Sequence, residues 1–333
     1  MAKKKVAILC NMAHNIKRVY IDRVVAEIAD QAEIMFIGNY NDCIKDASKV
    51  KEVEVIFSTW GMPTMSKEAI KEYFPALKLV LYAAGTVQPF ASEFLESGVR
   101  VCSAWRANGI PVAEFTFAQI SLAMKGYFRS ARSYKFNVAS SLFFKIKANG
   151  NYNKTVGLVG LGAIGAMVAE KLKALDVRVL ACDPFVSEAR AKELGVTLVD
   201  METLFAESNV ISNHLANKKE LTHVYNYKLF KKMQPHTTFI NTGRGKQINE
   251  WHLAAYLFTH PRRTALLDVL TTDISYFSPL WFVRNAMVSP HMAGSTGGEV
   301  VRMADYMISE YKKYINGEAL EHEVSIEMLK TMA

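Results

Sequence analysis

The sequence predicts an α/β fold made of two doubly wound parallel-sheet domains, on three observations. Short apolar, strand-like runs alternate with helical stretches through both halves of the chain, the pattern of a parallel sheet covered on both faces. One run, Thr155 to Val159, leads straight into the glycine turn Gly160-Leu161-Gly162-Ala163-Ile164-Gly165 and then a helix. At 333 residues the chain is also long for a single core.

In order, the first third reads as strand Val6 to Leu9, an amphipathic helix from Ile16 to Ala29, and strands Ile34 to Ile37 and Val53 to Phe57. It continues with helix Ser66 to Phe74, strand Leu77 to Ala83, helix Phe90 to Glu96 and strand Val99 to Ser103. A long helical pattern follows from Val112 to about Tyr134, with Pro111 near its first turn, where a missing N–H costs little. Residues 145–153 read as a loop between domains. Beyond the glycine turn, strands are expected at Val177 to Cys182, Val210 to Ser212, Thr237 to Asn241, Thr264 to Asp268 and Ala286 to Ser289. A last helix, Gly298 to Ile315, leaves a tail that returns to the first domain.

The glycine turn carries the first functional expectation. Gly160 suits a tight turn, Gly162 lets the backbone approach a pyrophosphate, and Gly165 lets the new helix pack closely on its strand. The phosphates then lie at the helix N-terminus, facing unpaired N–H groups and the positive end of the dipole. Asp183 ends the next strand, 21 residues after Gly162, where an acid takes the ribose hydroxyls. Its carboxylate repels a 2′-phosphate and no Arg follows it directly, which favours NAD over NADP.

Composition narrows the class. Half the residues are hydrophobic and 22% are charged, as in ordinary globular proteins. The net charge of +8 raises the question of nucleic acid or an anionic substrate, but the basic residues are scattered, and only Lys3-Lys4-Lys5 forms a run. No nucleic-acid partner is expected. The five apolar residues after that run are too few for a signal peptide, and no segment is long enough to cross a membrane, so a cytoplasmic protein is expected. Cys10, Cys43, Cys102 and Cys182 stand far apart and read as core thiols in a reducing compartment, with neither a disulfide frame nor a metal site.

Three loops at strand ends carry candidate chemistry. Asn241-Thr242-Gly243-Arg244-Gly245 places a guanidinium at the carboxyl end of a strand, where it can bind a carboxylate bidentately. Ser289-Pro290-His291 places an imidazole, which exchanges protons near neutrality, just past another strand. His214 closes a further strand at the same edge. Asp268 ends strand Leu266-Leu267 and Asp273 lies five residues on; either acid suits a role beside His291. A cationic anchor, a histidine and an acid beside a nicotinamide site form a set for exchanging a hydride with a carbonyl next to a carboxylate.

At these residues the chain resembles the D-isomer-specific 2-hydroxyacid dehydrogenases, the family of phosphoglycerate dehydrogenase, D-lactate dehydrogenase and formate dehydrogenase. The markers run in order through most of the chain: Ala83-Ala84-Gly85, Asn108 to Glu114, the glycine turn with Cys182-Asp183-Pro184, Asn241 to Gly245, Leu267-Asp268-Val269, Ser278 to Trp281, and Pro290-His291 with Gly294-Ser295. The resemblance implies a Rossmann-type NAD domain, residues 105–316, and a smaller flavodoxin-like substrate domain built from residues 1–104 and 317–333, with the active site in the cleft between them. It implies an oxidoreductase acting on a 2-oxo or D-2-hydroxy acid, and a homodimer formed through the cofactor domain.

By the same resemblance Arg244 holds the substrate carboxylate, His291 donates the proton, Asp273 pairs with His291, and Asp268 takes the nicotinamide carboxamide. Ala84, Gly85 and Asn108 match positions that line the substrate pocket, and the backbones of Ala163 and Ile164 meet the pyrophosphate. His214 and Thr242 join the cofactor-binding set. Two departures stand out. Asp273-Ile274 replaces the usual Glu-Pro, shortening the carboxylate by one methylene, and Trp105-Arg106 replaces the usual Pro-Gly before the Asn marker. The rival expectation is an NAD(H)-sensing regulatory protein on the same fold, with little turnover.

Overall fold

The computed structural model describes residues 3–272 and 277–329. The chain divides into two compact units, residues 1–109 with 295–333, and residues 110–294.

In the first unit five parallel strands form one sheet: β1 (Lys4–Leu9), β2 (Ala32–Gly38), β3 (Val55–Ser58), β4 (Leu79–Tyr82) and β5 (Arg100–Ser103), in the order β2-β1-β3-β4-β5. Successive side chains on a strand face opposite ways, and the cores follow that alternation. Val6, Ile8, Phe57 and Leu81 enter one apolar cluster, while Ala7, Leu9, Ile56 and Val80 enter the other.

The helix Val300–Ile315 packs on the first of these faces. Val300, Met303, Ala304, Met307, Ile308 and Tyr311 recur at helical spacing and are all buried there. This corrects the expected boundary at residue 316, because the apolar stripe of this helix is covered by the five-stranded sheet and its helices. The returning tail is tied down beyond it. Glu323 bridges antiparallel to Cys102, and its carboxylate takes two hydrogen bonds from the Arg100 guanidinium, at 2.7 Å each.

In the second unit seven parallel strands form the other sheet: β6 (Tyr152–Val159), β7 (Asp176–Cys182), β8 (Thr197–Leu198), β9 (Val210–Asn213), β10 (Thr238–Asn241), β11 (Thr264–Leu267) and β12 (Ala286–Val288). Their order is β12-β11-β10-β9-β6-β7-β8, so the winding reverses between β6 and β9. Ligands of open α/β sheets bind outside the carboxyl ends of strands at such a reversal.

Several helices differ from expectation. The helix expected over 16–29 is two, Ala13–Val19 and Asp22–Gln31, separated at Tyr20, whose hydroxyl donates to the Ser58 carbonyl at 2.7 Å. The helix expected over 112–134 starts earlier, at Trp105, so that Pro111 lies inside it, and ends at Met124. Gly126 then adopts a left-handed conformation, φ 67°, and a separate helix runs from Tyr127 to Tyr134. Residues 145–153 are not a loop between units: Val138–Ile146 is helical, β6 begins at Tyr152, and both belong to the second unit.

All four cysteines are free thiols, three of them buried. No helix of the described residues is long and apolar enough to cross a membrane.

Candidate active site

At the carboxyl end of β6 the glycine turn is held by backbone alone. Gly160 has φ 89°, and a Cβ on Gly165 would stand 2.1 Å from the Gly160 carbonyl oxygen, so the helix Ala163–Leu172 can lie this close to its strand only without that atom. Gly162 caps this helix with no side-chain hydrogen bond, and the space where its Cβ would point is open. The first-turn N–H groups and the positive end of the dipole therefore address open space, as a bound pyrophosphate requires. Asp183 braces the same turn: its carboxylate accepts from the backbone N–H of Leu161 at 2.8 Å and of Phe185 at 2.9 Å.

His214 follows β9 beside the turn, its carbonyl close against Gly160. Burial pushes its pKa down to about 4, which keeps the ring neutral, and Nε2 lies 3.0 Å from the Ser212 hydroxyl.

Between β9 and β10 lies a buried amide network that the sequence did not reveal. The Asn213 Nδ2 donates to Asn241 Oδ1 at 2.8 Å and to Gln247 Oε1 at 2.7 Å, while its Oδ1 accepts from the Leu215 N–H and the Tyr225 hydroxyl. All four of its hydrogen-bonding positions are filled. Asn241 in turn accepts from the Gly243 N–H at 3.0 Å and donates to the Arg244 carbonyl at 3.1 Å.

The loop bearing Arg244 is thus fixed at both of its glycines and at the arginine's own peptide. A Cβ on Gly245 would fall 1.9 Å from the Leu270 carbonyl, so this turn also presses on the chain after β11. The Arg244 guanidinium is half-buried and donates to the Gly243 carbonyl at 2.9 Å. Thr242, buried, meets Thr116 hydroxyl to hydroxyl at 3.1 Å.

Asp268, immediately after β11, is 1% exposed, and both its oxygens are committed to the next loop. Oδ1 accepts from the Ser289 hydroxyl at 2.6 Å and the Met292 N–H at 3.0 Å, and Oδ2 from the Ala293 N–H at 2.8 Å. His291 stands exposed at the tip of that loop with φ 50°, and its N–H donates to the Asp268 carbonyl at 2.9 Å. A non-glycine residue in this region is strained by order 1–3 kcal/mol, and the bonds from Asp268 on either side hold it there. Asp273 lies outside the described residues.

Glu250, for which the sequence offers no local signal, links Thr271 to Ser278. Its Oε1 accepts from the Thr271 N–H and its Oε2 from the Ser278 hydroxyl, each at 2.6 Å.

Residues 122–293, just over half the chain, match the family model described as "D-isomer specific 2-hydroxyacid dehydrogenase, NAD binding domain". The chain belongs to this family. It is 28% identical to the D-3-phosphoglycerate dehydrogenase of Mycobacterium leprae over 304 residues, 91% of this chain and 57% of that protein. It is also 28% identical to the glyoxylate reductase of Korarchaeum cryptofilum over 287 residues, 85% and 86% of the two chains. It therefore spans little more than half the length of the phosphoglycerate dehydrogenases it matches.

Among solved structures, the apo form of Rhodotorula graminis D-mandelate dehydrogenase superposes with a TM-score of 0.80 at 19% identity, covering 97% of this chain and 98% of that one. The NAD-complexed D-isomer-specific 2-hydroxyacid dehydrogenase of Lactobacillus delbrueckii ssp. bulgaricus gives 0.78, again at 19% identity, covering 96% and 100%. These likenesses establish the fold of two parallel-sheet α/β domains.

In this member of the family the sequence-predicted residues fall into two groups, one in each unit. Gly160, Gly162, Ala163, Ile164, Gly165, Asp183, His214, Thr242, Arg244, Asp268 and His291 all follow carboxyl ends of strands in the seven-stranded sheet. Ala84, Gly85 and Asn108 gather in the first unit. The Ser103 hydroxyl donates to the carbonyls of Ala84 and Gly85, at 3.0 and 2.6 Å. A Cβ on Gly85 would lie 3.5 Å from the Asn108 amide, whose oxygen accepts from the Ser295 N–H at 3.2 Å.

Proposed function

We propose that the protein is an NAD-dependent oxidoreductase that interconverts a 2-oxo acid and its D-2-hydroxy acid. The observation that carries this is the order of three neighbouring strands. Arg244 follows β10 and His291 follows β12, while Asp268 at the end of the intervening β11 binds the His291 loop through three hydrogen bonds. A carboxylate-binding cation and a proton-exchanging ring thus stand at one edge of the sheet that also bears the glycine turn.

In the reductive direction Arg244 binds the substrate carboxylate and polarises the adjacent carbonyl. NADH, when bound, would supply the hydride to C2. His291 gives its proton to the carbonyl oxygen as negative charge develops there, a role typically contributing about a hundred- to ten-thousandfold. By the family resemblance, Asp273 is the acid partner assigned to this histidine. Gly160, Gly162, Ala163, Ile164 and Gly165 would hold the pyrophosphate, Asp183 the ribose and Asp268 the nicotinamide carboxamide, with His214 and Thr242 completing the cofactor-binding set. Ala84, Gly85 and Asn108 contact the substrate.

The dimer that family resemblance implies has a surface to form through. The helices Tyr127–Tyr134 and Val138–Ile146 and the turn between them expose Tyr134, Phe136, Val138, Leu142 and Ile146, a run of apolar side chains that supports an interface here. Free thiols at all four cysteines accord with a cytoplasmic location.

The test is oxidation of NADH against 2-oxo acids of graded size, with NADPH in parallel. Turnover is expected with at least one acid, and His291→Ala is expected to lose most of it while keeping NADH affinity. NADH binding without turnover on any acid would replace the enzyme by a sensor of the cofactor's redox state.

A further inference from the structure

We propose that the second unit carries a separate site for a phosphate-class oxyanion, at the amino-terminal edge of the seven-stranded sheet. A cavity of about 30 Å³ lies there, lined by Arg129, Lys147, His236, Arg262 and the first residues of two strands, Thr238 of β10 and Thr264 of β11. The Arg244 and Asp268 loops leave from the other ends of those same strands. The cavity is thus on the opposite edge of the sheet from the residues assigned to catalysis.

Its charge is one-sided. Three of the lining residues, Arg129, Lys147 and Arg262, are cations, His236 adds a ring that can donate a hydrogen bond, and no carboxylate is among the described residues that line it. Arg132, Arg263 and Arg284 add to the field: burial first, and then Arg132 and Arg284, push Arg129 down to about 10. Burial, followed by Arg262, Lys147, Arg263 and Arg129, lowers the His236 pKa as well. Cations gathered without acids repel one another, and an anion among them removes that repulsion.

The geometry is built rather than incidental. Arg129 is fixed by donating to the carbonyls of Pro261 and Arg263, at 2.9 and 3.2 Å, with its guanidinium 4.2 Å from the centre of the Phe144 ring. His236 is held at φ 70°, its N–H donating to the Arg262 carbonyl at 3.1 Å. Lys147 and Arg262 are exposed at the rim. The volume corresponds to roughly two waters, the scale of one phosphoryl group, and is too small for a nucleotide or a peptide. Guanidinium and ammonium donors around such a space match the oxygens of a phosphate. The ligand is free phosphate or the phosphoryl end of a small ester whose remainder passes out between Lys147 and Arg262.

The full-length protein, saturated with NAD so that its pyrophosphate subsite is filled, is titrated with inorganic phosphate and separately with glycerol 3-phosphate. Potassium chloride holds ionic strength constant, and melting temperature and calorimetric heat are read. A saturable rise of several degrees is expected. Lys147→Gln/Arg262→Gln is expected to weaken binding at least tenfold, and in chloride alone to melt at or above the wild type, because repulsion is relieved.

A stronger response to the ester identifies a phosphorylated metabolite; equal responses identify free phosphate. No effect beyond that of chloride, an equal effect in the double variant, or a variant less stable than the wild type in chloride overturns the proposal. Turnover is read in none of these arms, so the outcome is independent of the dehydrogenase assignment.

Discussion

Asp268→Asn tests whether this residue positions His291. The carboxylate satisfies three donors with two oxygens, Oδ1 serving Ser289 and Met292 and Oδ2 serving Ala293. An amide has one oxygen. Placed where Oδ1 lies, it retains two acceptor bonds but turns an NH₂ toward the Ala293 N–H, leaving that buried donor unpaired at about 1–3 kcal/mol. The two retained bonds lose their charge assistance, about 1 kcal/mol each. The loop is therefore weakened by roughly 3–5 kcal/mol.

Amide exchange at Met292 and Ala293 should accelerate about a hundredfold or more, up to the limit set by global unfolding. Turnover should fall by about a hundredfold, the usual consequence of displacing a reacting group by an ångström, while NADH affinity changes less than tenfold. Unchanged protection of the two amides would refute the positioning role. Unchanged protection with a collapse of NADH affinity would leave the carboxylate its cofactor role alone.

Gly165→Ala places a Cβ 2.1 Å from the Gly160 carbonyl oxygen, where both partners are backbone, so NADH affinity should drop at least tenfold with a lower melting temperature; wild-type affinity would disprove the close approach. Asp183→Ser removes the charge that excludes a 2′-phosphate, and the ratio of kcat/KM for NADPH over NADH should rise at least tenfold, checked by steady-state kinetics. His214 has a folded pKa of about 4, below its unfolded value near 6.5, so it contributes stability that is complete above pH 6.5 and is lost as pH falls toward 4. His214→Asn should flatten that part of the stability profile by at most about 3 kcal/mol, measured by urea unfolding from pH 7 to 4. Phe136→Lys with Ile146→Lys, both replacing exposed apolar side chains, should abolish the proposed dimer in sedimentation; a dimer that persists would place the interface elsewhere.

All the strands except the two-residue edge strand β8 were legible, because buried parallel strands are short, continuous apolar runs bounded by turns, and the glycine turn announced the second sheet. What the sequence concealed depends on distant partners. The helix Val300–Ile315 shows its apolar stripe plainly, yet nothing local says which sheet covers it, and the expected boundary failed there. Trp105–Met124 shows no single apolar face, so neither its start nor its tolerance of Pro111 follows from periodicity. At the site, each loop beside a strand end could be read, but the Asn213–Asn241–Gln247 network could not. Its members are far apart in sequence and meet because the β9–β10 register pairs Asn213 with Asn241.

The two edges of the seven-stranded sheet treat charge in opposite ways. At the carboxyl edge Asp268 and Asp183 accept from backbone N–H groups, so the acids there shape loops, and the open N-terminus beyond Gly162 is left to attract the ligand. At the amino edge three cations, Arg129, Lys147 and Arg262, line one small cavity with no acid among the described residues that line it. Repulsion of that kind opposes folding, and a chain held together by only about 5–15 kcal/mol gains nothing from it unless an anion relieves it. The excess of +8, unexplained by any basic run in the sequence, is concentrated in part at this edge. If phosphate binds there, the sheet links two ligand sites through strands β10 and β11, whose first residues line one and whose carboxyl ends carry the loops of the other.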